Sequence, residues 1–292
     1  MRAVAAEWSA RWRVPGAGST WLPVAAGALA FLALFWDPLS SLVRDWWRDP
    51  EASHGLLLAP LAIYLAFRRG RVVENQGRPF FGLFLLAGAV LLRYAAGLAA
   101  ELYSMRISMW GAVAALVVFA WGWKQLVHWW LPFTLLFLAV PLPAVVLGSL
   151  TLPLQLKASQ MGAALLEWRD VPVLLAGNTI HLPGMSLFVG EACSGLRSLT
   201  SLLALGVLTG GLGLHLVWSR LLLVAAAIPV AMALNGFRVF LTGFLVYFVG
   251  PGLGEGFMHY TEGWALFVVA LAILGGLAWA LRRVERLRRG SE

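Results

Sequence analysis

The sequence predicts an all-α, polytopic membrane protein, and three observations carry that class. Hydrophobic residues make up 60% of the 292-residue chain and charged residues only 12%, against about 25% charge in a soluble domain, and mean hydropathy is +0.80. Several separate apolar stretches reach the roughly 20 residues that a helix needs to cross a bilayer. No strand-period alternation with aromatic girdles points to an outer-membrane barrel, which leaves helices to satisfy every backbone group in lipid.

About eight spans are expected, and each has its own signal. The first, 20–37, follows the basic stretch MRAVAAEWSARWRVPGAG; the apolar run lacks a small-residue cleavage site and is too long for a removed signal peptide, so residues 1–19 read as a retained cytoplasmic lead. The second, 55–67, is short, with an approach, SHGLLLAPLAIYLAF, that allows a start one turn earlier. Continuous apolar runs define 79–98, 108–123 and 130–150, the last interrupted by prolines. Span six, 194–213, is rich in glycine and small residues. Span seven, 220–250, contains Asn235-Gly236, a pair that weakens helix and is expected to end or bend it there. Span eight, 260–281, precedes a basic tail, 282–292.

Orientation follows from Lys and Arg. With the N-terminus inside, the cytoplasmic segments hold 14 of the 22 basic residues: Arg2, Arg11 and Arg13 at one end, Arg68, Arg69, Arg71, Arg78, Lys124 and Arg220 in the loops, and Arg282, Arg283, Arg286, Arg288 and Arg289 at the other end. Most acids, among them Asp45, Glu101, Glu191 and Glu262, fall outside. An even number of spans returns both termini to the cytoplasm. The net charge of +8 is therefore retained-flank charge and not a nucleic-acid footprint. One cysteine excludes an intramolecular disulfide framework.

No linker is long enough to separate one domain from another, so 1–292 reads as a single integral membrane domain. Its one substantial extramembrane segment is 151–192. The first half has amphipathic spacing (Leu152, Leu156, Met161, Leu165, Leu166) suited to a helix lying on the membrane surface. The second half, VPVLLAGNTIHLPGMSLFV, has β-branched and apolar residues with Gly-Asn and Pro-Gly breaks, and reads as short strands forming an extracytoplasmic cap before the sixth helix.

In so apolar a chain, an ionisable residue beside a span costs several kcal/mol unless paired or hydrated, which marks His54, Cys193, Arg197, Arg238 and His259. Cys193 opens span six at the outer surface. Arg238 lies 18 residues after the cytoplasmic Arg220, about 27 Å of helix rise, so it too approaches the outer side. His259 begins the eighth span, likewise outside. A thiol must become a thiolate to attack a carbonyl, and an imidazole can take its proton and later hand one to a leaving amine. An arginine supplies fork-shaped donors for a developing oxyanion. Arg197, one turn after Cys193, is suited to a substrate carboxylate or to Glu191.

Three segments on successive spans, EACSGLRSL, NGFRVFLTG and HYTEGW, resemble the motifs of the exosortase/archaeosortase family of multi-pass membrane transpeptidases. The likeness extends collinearly from about residue 45 to 265, through SHGLLLAPLAIYL, LPFTLLFLAVPLP, LPLQLKASQMGAALL and AGNTIHLP. The resemblance implies Cys193 as nucleophile, Arg238 as the essential arginine and His259 as the third catalytic member, the histidine matching the bacterial exosortase branch. It implies as substrates exported proteins ending in a short motif of the Pro-Glu-Pro type, a hydrophobic helix and a basic tail. Cleavage at the outer face of the bacterial cytoplasmic (inner) membrane would pass an acyl-enzyme to an unknown acceptor nucleophile. Arg197, Glu191, Asn235 and His54 form the candidate substrate-binding set. No cofactor, metal site or nucleic-acid partner is expected; the other partner is membrane lipid. Two other classes also fit: a transporter or flippase binding an anion at Arg238 and Arg197 beside broken helices, and an intramembrane cysteine protease that only hydrolyses.

Overall fold

The computed structural model describes residues 21–72, 76–190, 196–250 and 257–289. They divide into two compact units, at Pro141/Leu142.

The first unit is all-helical. Helix α1 (Trp21–Arg48) bends at Phe35 (φ −107°, ψ 16°), three residues before Pro38, whose ring clashes with the carbonyl four residues back. It is followed by α2 (Gly55–Arg69), the hairpin pair α3 (Pro79–Leu98) and α4 (Leu102–Trp121), and the short α5 (Trp123–His128) and α6 (Trp130–Leu138). Arg106 on α4 is buried and donates from Nη2 to the Asp45 carboxylate and the Ser41 hydroxyl of α1.

The proposed span 130–150 is not one helix. It stops at Leu138, and a new helix begins at Ala144. Pro141 and Pro143 supply no N–H, so the carbonyls at the end of α6 need other donors. Trp46 Nε1–H donates to Ala139 O (2.7 Å) and His54 Nε2–H to Leu138 O (3.1 Å). An indole and an imidazole thus satisfy adjacent carbonyls released by the break.

The second unit begins with α7 (Ala144–Trp168), which continues through the amphipathic stretch that spacing assigned to a separate surface helix. Pro153 does not divide it. A three-stranded antiparallel sheet comes next: β1 (Leu174–Ala176), β2 (Thr179–Leu182) and β3 (Met185–Phe188), in that order. Both connections are two-residue turns. Gly177 (φ +63°) and Gly184 (φ +80°) adopt a left-handed backbone there, and Pro183 before Gly184 suits a tight turn. The strands expected from sequence are present.

Three long helices complete the unit: α8 (Leu196–Gly213), α9 (Val217–Phe248) and α10 (Phe257–Arg289). The bend expected at Asn235-Gly236 is absent, and α9 runs unbroken through it. Gly236 serves packing. A Cβ there would lie 2.7 Å from Met161 Cβ on α7, and one on Gly162 would lie 2.5 Å from Val239 Cγ1. Five helices, 22–48, 79–98, 102–121, 217–248 and 264–288, are long and apolar enough to cross a membrane among the described residues; 198–213 is apolar but shorter.

Glycine use within α7 makes a matched test. A Cβ on Gly148 meets nothing within 4 Å, so Gly148→Ala should raise stability by up to about 1 kcal/mol through helix propensity. Gly162→Ala forces apart a stiff β-branched neighbour and should cost about 1–3 kcal/mol. Thermal unfolding in detergent, followed by helical circular dichroism, checks both.

Candidate functional site

The site is assembled in the second unit by two helix registers. Helix α7 runs parallel to α9: Met161 faces Gly236, Gly162 faces Val239 and Leu166 faces Gly243, the partner numbers rising together. Helix α8 runs antiparallel to α9, with Gly206 against Val224 and Gly210 against Arg220. Small residues let these backbones approach closely. Buried Ala158, Ala163, Leu166 and Val239 then hold the sheet through Val171, Ile180, Leu182 and Val189.

Helix α10 is locked at the opposite end. The Glu285 carboxylate, 3% exposed, accepts from His215 N (2.9 Å) and Leu216 N (3.0 Å), tying α10 to the turn that leads into α9. Arg282 Nε–H donates to Gly213 O (3.0 Å), and Arg220 donates twice to Leu214 O. From this pinned turn, α8, α9 and α10 pack around Leu202, Leu223, Ala227, Ala231, Ala270 and Leu274, with Leu234 and Phe267 at the margin.

These registers decide where the sequence-derived candidates fall. Arg238 follows Leu234 by four residues, about 6 Å of rise, and His259 precedes Phe267 by eight, about 12 Å. Arg197 is the second residue of α8. The backbones of all three belong to the end of the unit away from the Gly213–Val217 turn. Arg238 is half-buried with its Nε shielded from solvent, and its carbonyl accepts from the Thr242 hydroxyl (3.0 Å). Asn235, 7% exposed, is one turn earlier on α9. Cys193 and Glu191 lie outside the described residues, as do the side chains of Arg197 and His259. His54 belongs to the other unit, where it binds Leu138 O.

Asn235 also lines a narrow surface crevice, with free space of only about 10 Å³, together with Leu154, Lys157, Ala158, Leu199, Ala231 and Met232. It is apolar apart from one cation and one amide. Lys157 was not among the sequence-derived candidates. Nor were buried Gln155 and the half-buried Asn178, which are hydrogen-bonded to each other (3.3 Å). The available signal was polar residues at 155, 157 and 159 inside an otherwise apolar stripe. Gly177-Asn178 looked like turn chemistry alone.

A predominantly helical scaffold with five helices long and apolar enough to cross a membrane among the described residues, a half-buried arginine and a small sheet is the class that these observations define. The chain belongs to the transmembrane exosortase family: the family model described as Transmembrane exosortase (Exosortase_EpsH) matches residues 46–276. No curated protein and no solved structure matches it.

The lock at Glu285 sets the register of α10 and thereby the level of its first turn. Glu285→Ala removes the charged acceptor of two partly buried hydrogen bonds and should cost about 1–3 kcal/mol. Glu285→Gln keeps one acceptor and should lose less. Midpoints of thermal unfolding of the purified protein rank the two variants.

Proposed function

We propose that the chain is a membrane cysteine transpeptidase that removes the C-terminal sorting signal of exported proteins. The observation that carries this reading is the level at which both ends of segment 191–195 meet α9. Gln155, which holds Asn178 and through it Val189, stands at the level of Met232 in the α7/α9 register. Leu196 stands at the level of Leu234 in the α8/α9 register. Arg238 is four to six residues further along α9, about 6–9 Å. Cys193 is three residues from Gly190 and three from Leu196, within about 10 Å of chain reach from either. The family membership supports the same chemistry.

In this mechanism the Cys193 thiol gives its proton to His259, and the thiolate attacks the scissile carbonyl. Arg238 donates to the oxyanion. Collapse of the tetrahedral intermediate breaks the C–N bond, imidazolium returns its proton to the departing amine, and the motif remains as a thioester on Cys193. An acceptor nucleophile, deprotonated by the imidazole, then displaces the thiolate. Arg197 and Lys157 are cations suited to an acidic side chain in the motif. The basic flanks support placing both termini in the cytoplasm and this chemistry at the extracytoplasmic face of the inner membrane, where a substrate helix with a basic tail presents its motif. The 1–292 chain acts as one functional domain in this reading. A transporter drew its support from two interrupted helices; α9 is continuous, which removes half of it.

Co-expression with a tailed substrate tests the reading. Cys193→Ala should reduce processing by at least about 10³-fold, with Arg238→Ala and His259→Ala also severely impaired. Processing that survives the cysteine change would sink the mechanism. The mass of the new C-terminus separates transfer, seen as an adduct, from hydrolysis, seen as a free carboxylate. Lys157→Met should raise KM about 5-fold with little change in kcat, corresponding to roughly 1 kcal/mol of uniform binding. A matched fall in kcat and kcat/KM would instead assign Lys157 to the transition state.

A further inference from the structure

We propose that Asn178 and Gln155 form a clamp that positions the segment carrying Cys193, making both of them positioning residues for the reaction; the proposal rests on Cys193 being the nucleophile. Asn178 occupies the β1–β2 turn, directly across from Val189 in the register that continues β2 and β3. It grips Val189 twice and α7 once. Its carbonyl accepts from Val189 N (2.9 Å), its Nδ2–H₂ donates to Val189 O (3.2 Å), and the same amide donates to Gln155 Oε1 (3.3 Å).

Gln155 is the fixed end of this chain of bonds. It is 6% exposed on α7, where an amide without partners would be costly; its main-chain carbonyl separately accepts from the Ser159 hydroxyl one turn on (2.8 Å). Its neighbour Leu154 and, one turn along, Ala158 line the cleft that Asn235 closes. Val189, 1% exposed, is packed in the same cluster as Ala158 and Val239.

Val189 is the first residue after β3, and Cys193 is only four residues further along the chain. A hairpin needs only backbone bonds to hold its register. Two additional side-chain bonds at its exit, one of them to a different element, fix the exit relative to α7 and therefore to the α7/α9 seam beside Arg238. Small displacements of a nucleophile are expensive in rate even when they cost little stability.

Cys193 is the sole cysteine, so its thiol can be followed without substrate. The full-length protein in detergent is alkylated with iodoacetamide across pH 5–10, and rate against pH is recorded alongside kcat and KM for a tailed substrate. Gln155→Leu keeps the volume but removes the acceptor, Gln155→Glu keeps an acceptor, and Asn178→Asp removes the donor to Val189 O. The expected result is that Gln155→Leu and Asn178→Asp displace the alkylation profile and lower kcat at least 10-fold with KM within 2-fold. Gln155→Glu should restore the wild-type profile, and all three should retain helical content. An alkylation profile unchanged in Gln155→Leu and Asn178→Asp overturns the clamp, as does an equal loss in Gln155→Glu. If either Asn178 or Gln155 variants fail to fold, the other residue's variants give the same decision. A shifted profile in an enzyme whose Cys193→Ala variant still processes substrate would leave the clamp standing and overturn the nucleophile instead.

Discussion

The close approach of α7 and α9 is the constraint on which the second unit depends. Gly162 and Gly236 remove the side chains that would keep the two helices apart, and Val239, Met161 and Leu166 fill the space along the seam. Because the helices are parallel, the seam carries α7 toward the same end as Arg238 and leaves its C-terminal portion beside the sheet. The sheet is too small to be stable alone. It gains a core only from residues that this pair of helices provides, so the chain leading to residue 190 is ordered by a helix contact elsewhere in sequence.

A second constraint is the supply of partners for backbone groups in a chain with few polar residues. The break after α6 strands carbonyls that Trp46 and His54 satisfy. The tight α8–α9 turn strands two N–H groups that Glu285 satisfies from almost 70 residues away, and Arg220 and Arg282 take the carbonyls beside it. In apolar surroundings each such group is costly if left unmade. Interruptions are therefore found where a distant side chain meets them, and α9 continues unbroken through Asn235-Gly236.

The same accounting separates the polar residues into kinds. His54, Trp46 and Glu285 are consumed by backbone groups. Lys157 and Asn235 face a cleft, and Arg238 lies one turn beyond Asn235 at the end of the unit to which α8 and α10 bring their first turns. Family membership rests on residues 46–276 and so takes in both units. That extent agrees with the collinear likeness read from about 45 to 265.

Composition and periodicity alone determined the membrane class, most helix positions and the presence of short strands after residue 171, because burial in lipid and strand-turn chemistry act locally; that there are three was decided by the structure. The candidates Arg238, Arg197, Cys193 and His259 were visible as ionisable groups or a lone thiol in an oily chain. What only the tertiary structure decided concerns pairs far apart in sequence. That Gly236 would serve a seam and not a bend depends on Gly162, 74 residues earlier. That the amphipathic stretch 151–168 would continue α7 depends on the sheet and α9 covering its apolar face. That Gln155 and Asn178 would meet depends on the sheet folding back onto α7. Local propensity carries no information about these partners, since the free energy that selects them is released only on contact.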